Sequence, residues 1–493
     1  MRILLYIFFM GFLIPDCFAA DYRFSYDEHS RNAYKQYTAL HLEEGNTEIR
    51  KAIIADPYNL MPIYIADYED CMLLLFNGDP ADLEQRRSHM DERLALLNKG
   101  NGKSPWYRLC KAGIYLHWAL VNVRFGENLK AAATFRKSFL LLKENSRLFP
   151  GFDYNDIFFG LEEAVIGTVP GDYQWLVSIF GMKGNVKKGI AKLADFVKKH
   201  DPNDLLYNEA ILFHNYLRFY LLSEQQEAWN YIASNRFPVE GNLLHLFLRA
   251  NLAINYRKAD IALHTLSIAK QHRYFTKFPI MDYEMASALF FKLDPSAVSY
   301  YKSFAGRFKG RLFVKDAFQK MALWYYLHDN MPQARNNRQK IKSVGSQQVD
   351  ADKQAQRFAE GDEWPNKALL RARLLIDGGY YQQALSRLGG FSTSSFSNVA
   401  DKVEFSFRIG RVHDELGNGE LALKHYEAAI KMGRTRKEHF AARSALQSAF
   451  IYEKKGNNSK AVSLFHDCLS MRGHDYQNSI DQQAKAGLNR LGQ

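Results

Sequence analysis

The residues 403–429, VEFSFRIGRVHDELGNGELALKHYEAA, decide the fold class of this 493-residue chain. Gly410 and Ala422 are small enough to let two antiparallel helices approach closely. Gly417 lies between them, where a helix that ends and turns back needs a residue with a positive φ angle. Tyr426 then supplies a large ring for the space between successive helix pairs. The pattern therefore predicts two packed helices joined by a turn at Gly417.

The same offsets recur along most of the chain, as they do in repeat architectures. We locate each repeat by the small residue at the start of its second helix, and we call this residue the anchor of the repeat. The clearest three anchors are then Ala384, Ala422 and Ala461, which are 38 and 39 residues apart. Weaker anchors continue towards the N-terminus at Ala334, Ala297, Ala262, Ala228, Gly189 and Ala131. This order of small residues, rings and turns resembles the tetratricopeptide repeat. We therefore expect an all-α fold, a superhelix of tetratricopeptide-like helix pairs (an α-solenoid).

Breaks in this phase divide the chain into segments. We expect a signal peptide over 1–20, an atypical N-terminal helical cap over 21–100, degenerate tetratricopeptide-like repeats over 101–342, a polar linker or hinge over 343–365, three C-terminal tetratricopeptide repeats over 366–475 and a C-terminal capping helix over 476–493. The hinge is predicted because the step from Ala334 to Ala384 is too long for one repeat. The excess residues carry Gly345, Gly361 and Pro365, which break helices.

The N-terminus has the parts of a secretory signal. Arg2 precedes an apolar run from Ile3 to Ile14, and cleavage is expected after Ala19 or Ala20. A membrane anchor is the weaker alternative because the run is about half of the roughly 20 residues that a spanning helix needs. A lipid on Cys17 is a third alternative, but Asp16 stands where lipid-attachment signals have a small residue. We expect an exported, periplasmic or outer-membrane-associated chain with no transmembrane segment, and peripheral association with the outer membrane stays open.

The net charge of the chain indicates which class of partner it would bind. The sequence has 65 Lys and Arg against 53 Asp and Glu, a net charge of +12. In an exported protein this favours acidic proteins, anionic lipid headgroups or acidic glycans over nucleic acid, although dispersed basic residues are also typical of a solvated surface.

After the signal, Cys71, Cys110 and Cys468 remain. We expect small buried side chains, with a bridge between Cys71 and Cys110 left open.

Several stretches resemble one family of helical repeat proteins. The residues Gly160-Leu161 through Gly171-Asp172, then Ile179 to Asn185 with Gly189-Ile190 and Leu193, are similar to the central region of the tetratricopeptide repeat protein 39 and inclusion-body-clearance family. So are Phe313 to Ala317 with Trp324-Tyr325-Tyr326, and the segment Leu369 to Leu388. The resemblance covers most of residues 45–475 and implies an all-α scaffold without known catalytic residues. The export signal departs from this family and favours a bacterial envelope relative.

Sequence motifs for catalysis and cofactor binding are absent. There is no His-Glu-x-x-His, no Cys-x-x-Cys, no Gly-x-x-x-x-Gly-Lys-Ser/Thr phosphate-binding loop and no Gly-x-Ser-x-Gly. The acid pair Glu162-Glu163 cannot flank one bond because adjacent residues on a helix point in different directions. We therefore predict that the protein is not an enzyme and has no catalytic residue, no metal and no cofactor.

The first helix of each pair lines the concave surface in such repeats, so its exposed side chains would contact a bound helix or peptide. By phase, the predicted partner-binding residues are Asp316, Gln319, Tyr326, Arg373, Asp377, Phe407, Arg411 and Asp414, with Leu369 and Phe450 at equivalent positions. Arg373 and Arg411, one repeat apart, are suited to holding a carboxylate. The alternative is that all of these are ordinary solvated residues.

These features predict a non-catalytic protein-interaction scaffold of the bacterial envelope that binds a partner protein or peptide in its concave groove. The expected partners are other envelope proteins, with acidic segments favoured, and not nucleic acid. The alternative is a carbohydrate- or nutrient-binding envelope protein of the helical repeat type, which would carry a lipid-anchoring cysteine and ligand loops between repeats. An enzyme would need a convergent polar cluster outside the repeat phase, and the sequence offers none.

Overall fold

The computed structural model describes residues 21–168, 182, 184–222 and 224–493. Within these ranges, extended pairing is limited to an isolated bridge between Arg23 and Asn59, and the regular structure is otherwise helical. The predicted all-α fold is confirmed. The predicted signal peptide over 1–20 lies outside the described residues.

The helices belong to two compact units. One unit holds the described residues up to Leu75 together with Ala81–Glu224, and the other holds Phe76–Pro80 and Gln225–Gln493. The helices up to Glu224 are α1 Glu28–Tyr37, α2 Leu42–Ala55, α3 Met61–Ile65, α4 Asp67–Asn77, α5 Pro80–Arg86, α6 His89–Leu97, α7 Pro105–Arg124, α8 Asn128–Leu148, α9 Asn155–Ile166, α10 Val186–Lys199 and α11 Tyr207–Leu221.

The second unit continues the series with longer runs of regular pairs. Its helices are α12 Gln225–Ala233, α13 Leu243–Asn255, α14 Ala259–Lys270, α15 Ile280–Phe291, α16 Ser296–Arg307, α17 Val314–Leu327, α18 Met331–Ile341, α19 Asp350–Glu360, α20 Lys367–Gly378, α21 Tyr381–Leu388, α22 Val399–Glu415, α23 Gly419–Gly433, α24 Phe440–Lys454, α25 Asn458–Ser470 and α26 Gln477–Arg490. Short 3-10 turns lie at Phe275–Lys277 and Thr393–Ser395.

Consecutive helices pack as pairs, and seven of the nine predicted anchors occupy the same position in the second helix of a pair. The packed pairs are α1–α2, α7–α8, α9–α10, α13–α14, α15–α16, α17–α18, α20–α21, α22–α23 and α24–α25. In these pairs Ala131, Gly189, Ala262, Ala334, Ala384, Ala422 and Ala461 are each the fourth residue of the second helix, and all are buried. A larger side chain at this position would push the two helices apart. The tetratricopeptide-like helix pairs are therefore confirmed.

The glycine roles inferred for residues 403–429 are also confirmed. A Cβ atom on Gly410 would lie 2.8 Å from Cδ1 of Tyr426, and Gly417 has a φ of +81°. In three earlier pairs the same turn position is occupied by Arg257, Leu293 and Asp329, with φ angles of 57°, 61° and 61°. The turn geometry is thus kept where the glycine is lost.

The polar segment 343–365 contains the packed helix α19. Ala355 and Ala359 of this helix lie in one apolar cluster with Ile341. The Asp352 carboxylate accepts hydrogen bonds from the backbone N–H groups of Phe313, at 2.7 Å, and Asp316, at 3.0 Å, where α17 begins. The segment lies inside the second unit, whose boundary with the first is at Glu224. It is therefore more than a bare linker, and its role as a hinge stays a prediction.

The core of the first unit contains a cluster of hydrogen-bonded polar side chains. The Tyr34 hydroxyl of α1 donates to the Glu209 carboxylate of α11, and burial raises the pKa of Glu209. The Asp67 carboxylate of α4 pairs with His117 at 2.9 Å and accepts from the Trp118 indole at 3.1 Å, both on α7. Buried polar groups must be paired to be tolerated, so these contacts specify which helices meet in this core.

The three described cysteines are free, buried thiols. Burial raises the pKa of Cys71 and Cys110 well above the usual range and that of Cys468 to about 12. A thiol with a raised pKa stays protonated and unreactive. The expected role as small buried side chains is confirmed, and the bridge between Cys71 and Cys110 is not formed.

Candidate partner-binding face

Four helices lie side by side in the second unit. They are α20, α22 and α24, which are the first helices of the last three pairs, and α26. Arg411 of α22 donates to the Gln447 side chain of α24. One repeat later, Arg443 of α24 donates to Gln483 of α26 at 3.2 Å. Such contacts join each first helix to the next one. We call the exposed residues of these four helices the first-helix face.

Three of the predicted partner-binding residues are open to solvent. Arg373 and Asp377 are half-exposed on α20, one helical turn apart, and Gln319 is half-exposed on α17. Arg373 forms no ion pair with any residue in the described part of the chain. These side chains are therefore available to a partner, as the phase of the repeat predicted.

The exposure predicted for Asp316 is wrong. This residue is only 6% exposed. Its carboxylate accepts a hydrogen bond from the Tyr283 hydroxyl at 2.6 Å and pairs with Nζ of Lys320 at 2.6 Å. The first turn of α17 packs against α15, and this contact encloses the carboxylate. Asp316 thus has a structural role that the phase alone did not reveal.

The exposure predicted for Phe407 and Leu369 is also wrong. Phe407 is 8% exposed, with its ring centroid 6.2 Å from that of Tyr426 and 5.5 Å from that of Phe440. Leu369 is fully buried, in a cluster with Phe396 and Phe405. Both side chains face the neighbouring helices of the stack, because burying large apolar groups there stabilises the interface between repeats.

Tyr326 and Phe450 are partly covered by neighbouring rings. Tyr326 stacks on Trp364 with ring centroids 4.7 Å apart, and its hydroxyl donates to the Pro365 carbonyl at 2.9 Å. Phe450 meets Phe465 edge-on at 5.5 Å. These rings connect parts of the stack, so little of either is left for a partner.

The positive charge of Arg411 is compensated within the chain. Its guanidinium pairs with Glu415 one turn further along α22 and lies 3.5 Å from the Asp414 carboxylate. Asp414 in turn accepts a hydrogen bond from the Tyr426 hydroxyl at 3.1 Å, and its burial raises its pKa. Arg411 and Asp414 are both on the first-helix face, but Arg411 is a weaker anion site than the sequence suggested.

Arg443, which the prediction missed, is another cation of this face that forms no ion pair with the described residues. It is half-buried, and its hydrogen-bond partner is the neutral amide of Gln483. Burial lowers its pKa, and the charges of Arg411 and Arg257 lower it further. The described residues supply no carboxylate within ion-pair distance of Arg443.

Positive charges around Arg443 also lower the pKa of a histidine. Burial lowers the pKa of His439 to about 3, and the charges of Arg408, Arg443 and Arg373 contribute to the shift. Arg408 is paired with Glu404, so Arg373 and Arg443 carry the excess charge. His439 is therefore neutral at physiological pH and lies in a positive potential.

Arg411, Gln447 and Gln483 follow one another at steps of 36 residues. Arg411 donates to Gln447, and Gln483 accepts from Arg443, which lies four residues before Gln447 on the same side of α24. The prediction used the longer step of 38 from Arg373 to Arg411, and on α24 it named Phe450 and missed Arg443.

In residues 21–168, 182, 184–222 and 224–493, no three His, Cys, Asp or Glu side chains converge as metal ligands would. None of the described helices combines the length and apolar character needed to cross a bilayer. On the first-helix face, the guanidinium N–H donors of Arg373 and Arg443 are suited to anionic groups.

Comparison with known proteins adds little at the level of family. No model of a known family matches the sequence, and no curated protein matches it. The resemblance to the tetratricopeptide repeat protein 39 and inclusion-body-clearance family stays a prediction. Much of the stretch that suggested it, including Gly171-Asp172 and Ile179 to Gly181, lies outside the described residues.

Solved structures align along most of the chain at low similarity. The crystal structure of the APC/C hetero-tetramer Cut9-Hcn1 has 13% identity and a TM-score of 0.22, covering 93% of this chain and 95% of that chain. The structure of Naa15/Naa10 bound to HypK-THB has 11% identity and a TM-score of 0.22, covering 94% of this chain and 78% of that chain. Superpositions at this TM-score carry no information about function, and the helix pairs themselves establish the fold.

Proposed function

We propose that this chain is an exported, non-catalytic scaffold that binds an acidic segment of another envelope protein on its first-helix face. The observation that supports this most directly is the pair Arg373 and Arg443, two half-buried guanidinium groups without a carboxylate partner in the described part of the chain. A partly buried charge without a counter-ion is unfavourable, and a carboxylate from a partner would compensate it.

The side chains around Arg443 indicate which residues a partner segment would carry. Tyr476 is 47% exposed and meets His439 edge-on at 5.0 Å. These neutral rings offer apolar contact beside the two guanidinium groups. Asp377, half-exposed on the same helix as Arg373, would repel a second acidic residue there. We therefore expect a segment in which acidic residues alternate with aliphatic or aromatic ones, and not a run of acids.

The first test is binding of labelled peptides by fluorescence anisotropy. An Asp/Glu peptide with interspersed Leu is compared with its Asn/Gln analogue. Charge-assisted hydrogen bonds contribute about 1.5–3 kcal/mol each, so Arg373→Ala with Arg443→Ala is expected to weaken binding of the acidic peptide about a hundredfold. Thermal melting of each variant accompanies the binding measurement, because Arg443→Ala also removes the hydrogen bond to Gln483.

A matched control uses two cations on the second helix of a pair. Lys424 and Lys431 are exposed on α23 and form no ion pair with the described residues, so Lys424→Ala with Lys431→Ala removes equal charge away from the face. This variant should bind like the parent, and Arg411→Ala should have a smaller effect than Arg443→Ala. Equal binding by the Arg373, Arg443 variant and the parent would rule out this face as the site.

Export has its own test, because it rests on the sequence of residues 1–20 alone. Mass spectrometry of the protein purified from the cell envelope is expected to give a chain that begins at Ala20 or Asp21. An intact Met1, or a diacylglycerol on Cys17, would contradict cleavage at this site. The peptide-binding result does not depend on this outcome.

A further inference from the structure

The outward side of α8 in the first unit carries an unusual row of side chains. Leu129, Ala133, Arg136, Leu140, Lys143 and Arg147 follow one another at steps of four, three, four, three and four residues, which places them on one face of the helix. All six are exposed; Leu129 is 90% exposed and Leu140 is 39% exposed. We call these six residues the α8 stripe. It extends over about 27 Å at 1.5 Å per residue.

The opposite side of α8 holds the helix firmly in the unit. Phe139, Leu142 and Asn145 are buried, and the Asn145 amide donates to the Pro105 carbonyl of α7 at 2.9 Å. Leu129 gains little from the fold of the unit, because it is almost fully exposed. A leucine that is 90% exposed leaves apolar surface in water, and such surface is typical of a contact site.

The charge of the stripe is positive. The acidic residue of α8, Glu144, is paired with Arg108 of α7 at 3.0 Å. Lys143 and Arg147 form no ion pair with residues of the described chain. A surface that contacts the α8 stripe would therefore meet Lys143 and Arg147 together with exposed leucine side chains.

A second basic helix, α10, is linked to α8 through α9. The ring of Phe159 on α9 is 5.3 Å from that of Phe139 on α8, and Nζ of Lys192 on α10 lies 4.5 Å above the same Phe159 ring. The other lysines of α10, at 187, 188, 198 and 199, are exposed. The positive potential of the α8 stripe is thus continued by a neighbouring helix.

We propose that the α8 stripe binds the surface of an anionic lipid membrane. Long Lys and Arg side chains reach outward to lipid phosphates while their stems stay near apolar groups, and leucines between them enter the boundary between headgroups and acyl chains. An acidic protein would satisfy the cations but would not require leucines at both Leu129 and Leu140. This site is in the first unit and is independent of the acidic segment proposed for the first-helix face.

Vesicle flotation tests this proposal. The chain from Asp21 onwards, which holds every helix described above, is mixed with vesicles of phosphatidylcholine alone or of phosphatidylcholine with phosphatidylglycerol. We expect binding to the mixed vesicles only, and weaker binding as salt is added. Lys143→Glu with Arg147→Glu should reduce the partition coefficient by a factor on the order of several hundred, because each basic residue near an anionic surface contributes about fivefold and reversing a charge has twice the effect of removing it.

Two further variants separate a specific contact from general charge. Lys424→Glu with Lys431→Glu changes the net charge equally, but on α23, and should bind like the parent. Leu129→Ser with Leu140→Ser keeps every charge and should weaken binding about tenfold or more, because the leucines no longer enter the membrane. All variants are first shown to melt like the parent.

Three results would overturn the proposal. The first is equal binding of the parent to neutral and mixed vesicles, or to neither. The second is an equal loss in the α8 and α23 charge variants, which would indicate attraction by overall charge. The third is unchanged binding by the leucine variant, which would assign the stripe to an acidic macromolecule instead of a lipid surface.

Discussion

Replacing Lys320 with methionine is expected to lower the free energy of unfolding by about 3 kcal/mol. Nζ of Lys320 pairs with Asp316 at 2.6 Å and donates to the Tyr283 hydroxyl at 3.1 Å, and the Lys320 and Asp316 side chains are only 17% and 8% exposed. Burial alone would lower the pKa of Lys320, but Asp316 and Tyr283 raise it well above its usual range, so the residue is charged. Methionine has a similar volume but leaves the Asp316 carboxylate buried without its cation.

The double variant Asp316→Asn with Lys320→Met separates charge from packing. Asparagine still accepts the hydrogen bond from the Tyr283 hydroxyl, and no charge is left unpaired, so most of the lost stability should return. Urea unfolding followed by circular dichroism measures both variants. A single variant within about 0.5 kcal/mol of the parent, or a double variant no more stable than the single one, would show that the pair is not buried as described.

The repeat phase was predictable because close packing restricts one position to small residues. Ala384, Ala422 and Ala461 are fully buried where two helices come closest, and any larger side chain there would separate them. The turns were harder to recognise. Leu293 and Asp329 adopt positive φ angles that usually indicate glycine, so a search for Gly at the turn finds only part of the repeats. Packing of the flanking helices holds these turns, and a single sequence does not reveal that packing.

The exposure of the predicted partner-binding residues was predictable only in part. Helical phase indicates which side of a first helix is turned towards a ligand, but not how much of that side the next repeat covers. Phe407 is covered by Phe440, which lies in the following repeat. The compensation of Arg411 could have been read from the sequence, because Glu415 stands four residues later on the same helix. The lack of a carboxylate around Arg443 depends on several helices and emerges only from the fold.

The second large effect is expected at Gly189, the anchor of α10. A Cβ atom there would lie 2.3 Å from the carbonyl oxygen of Gly160 and 2.7 Å from the backbone nitrogen of Ala164, both on α9. Backbone atoms cannot turn aside as side chains do, so Gly189→Ala must separate the two helices. We expect a loss of about 2–3 kcal/mol in the free energy of unfolding, measured in urea. Gly306→Ala is the matched control, because Gly306 lies in α16 with open space around it and alanine is favoured in helices.

Gly160 and Gly189 contact each other reciprocally. A Cβ atom on Gly160 would lie 2.7 Å from the carbonyl oxygen of Gly189, so the two glycines share one point of contact between α9 and α10. Once one methyl group has separated the helices, the second has less to displace. Gly160→Ala with Gly189→Ala should therefore cost clearly less than the sum of the two single variants. Additive losses would mean that each methyl group is accommodated locally, and a Gly189→Ala variant as stable as the parent would mean that α9 and α10 do not touch there.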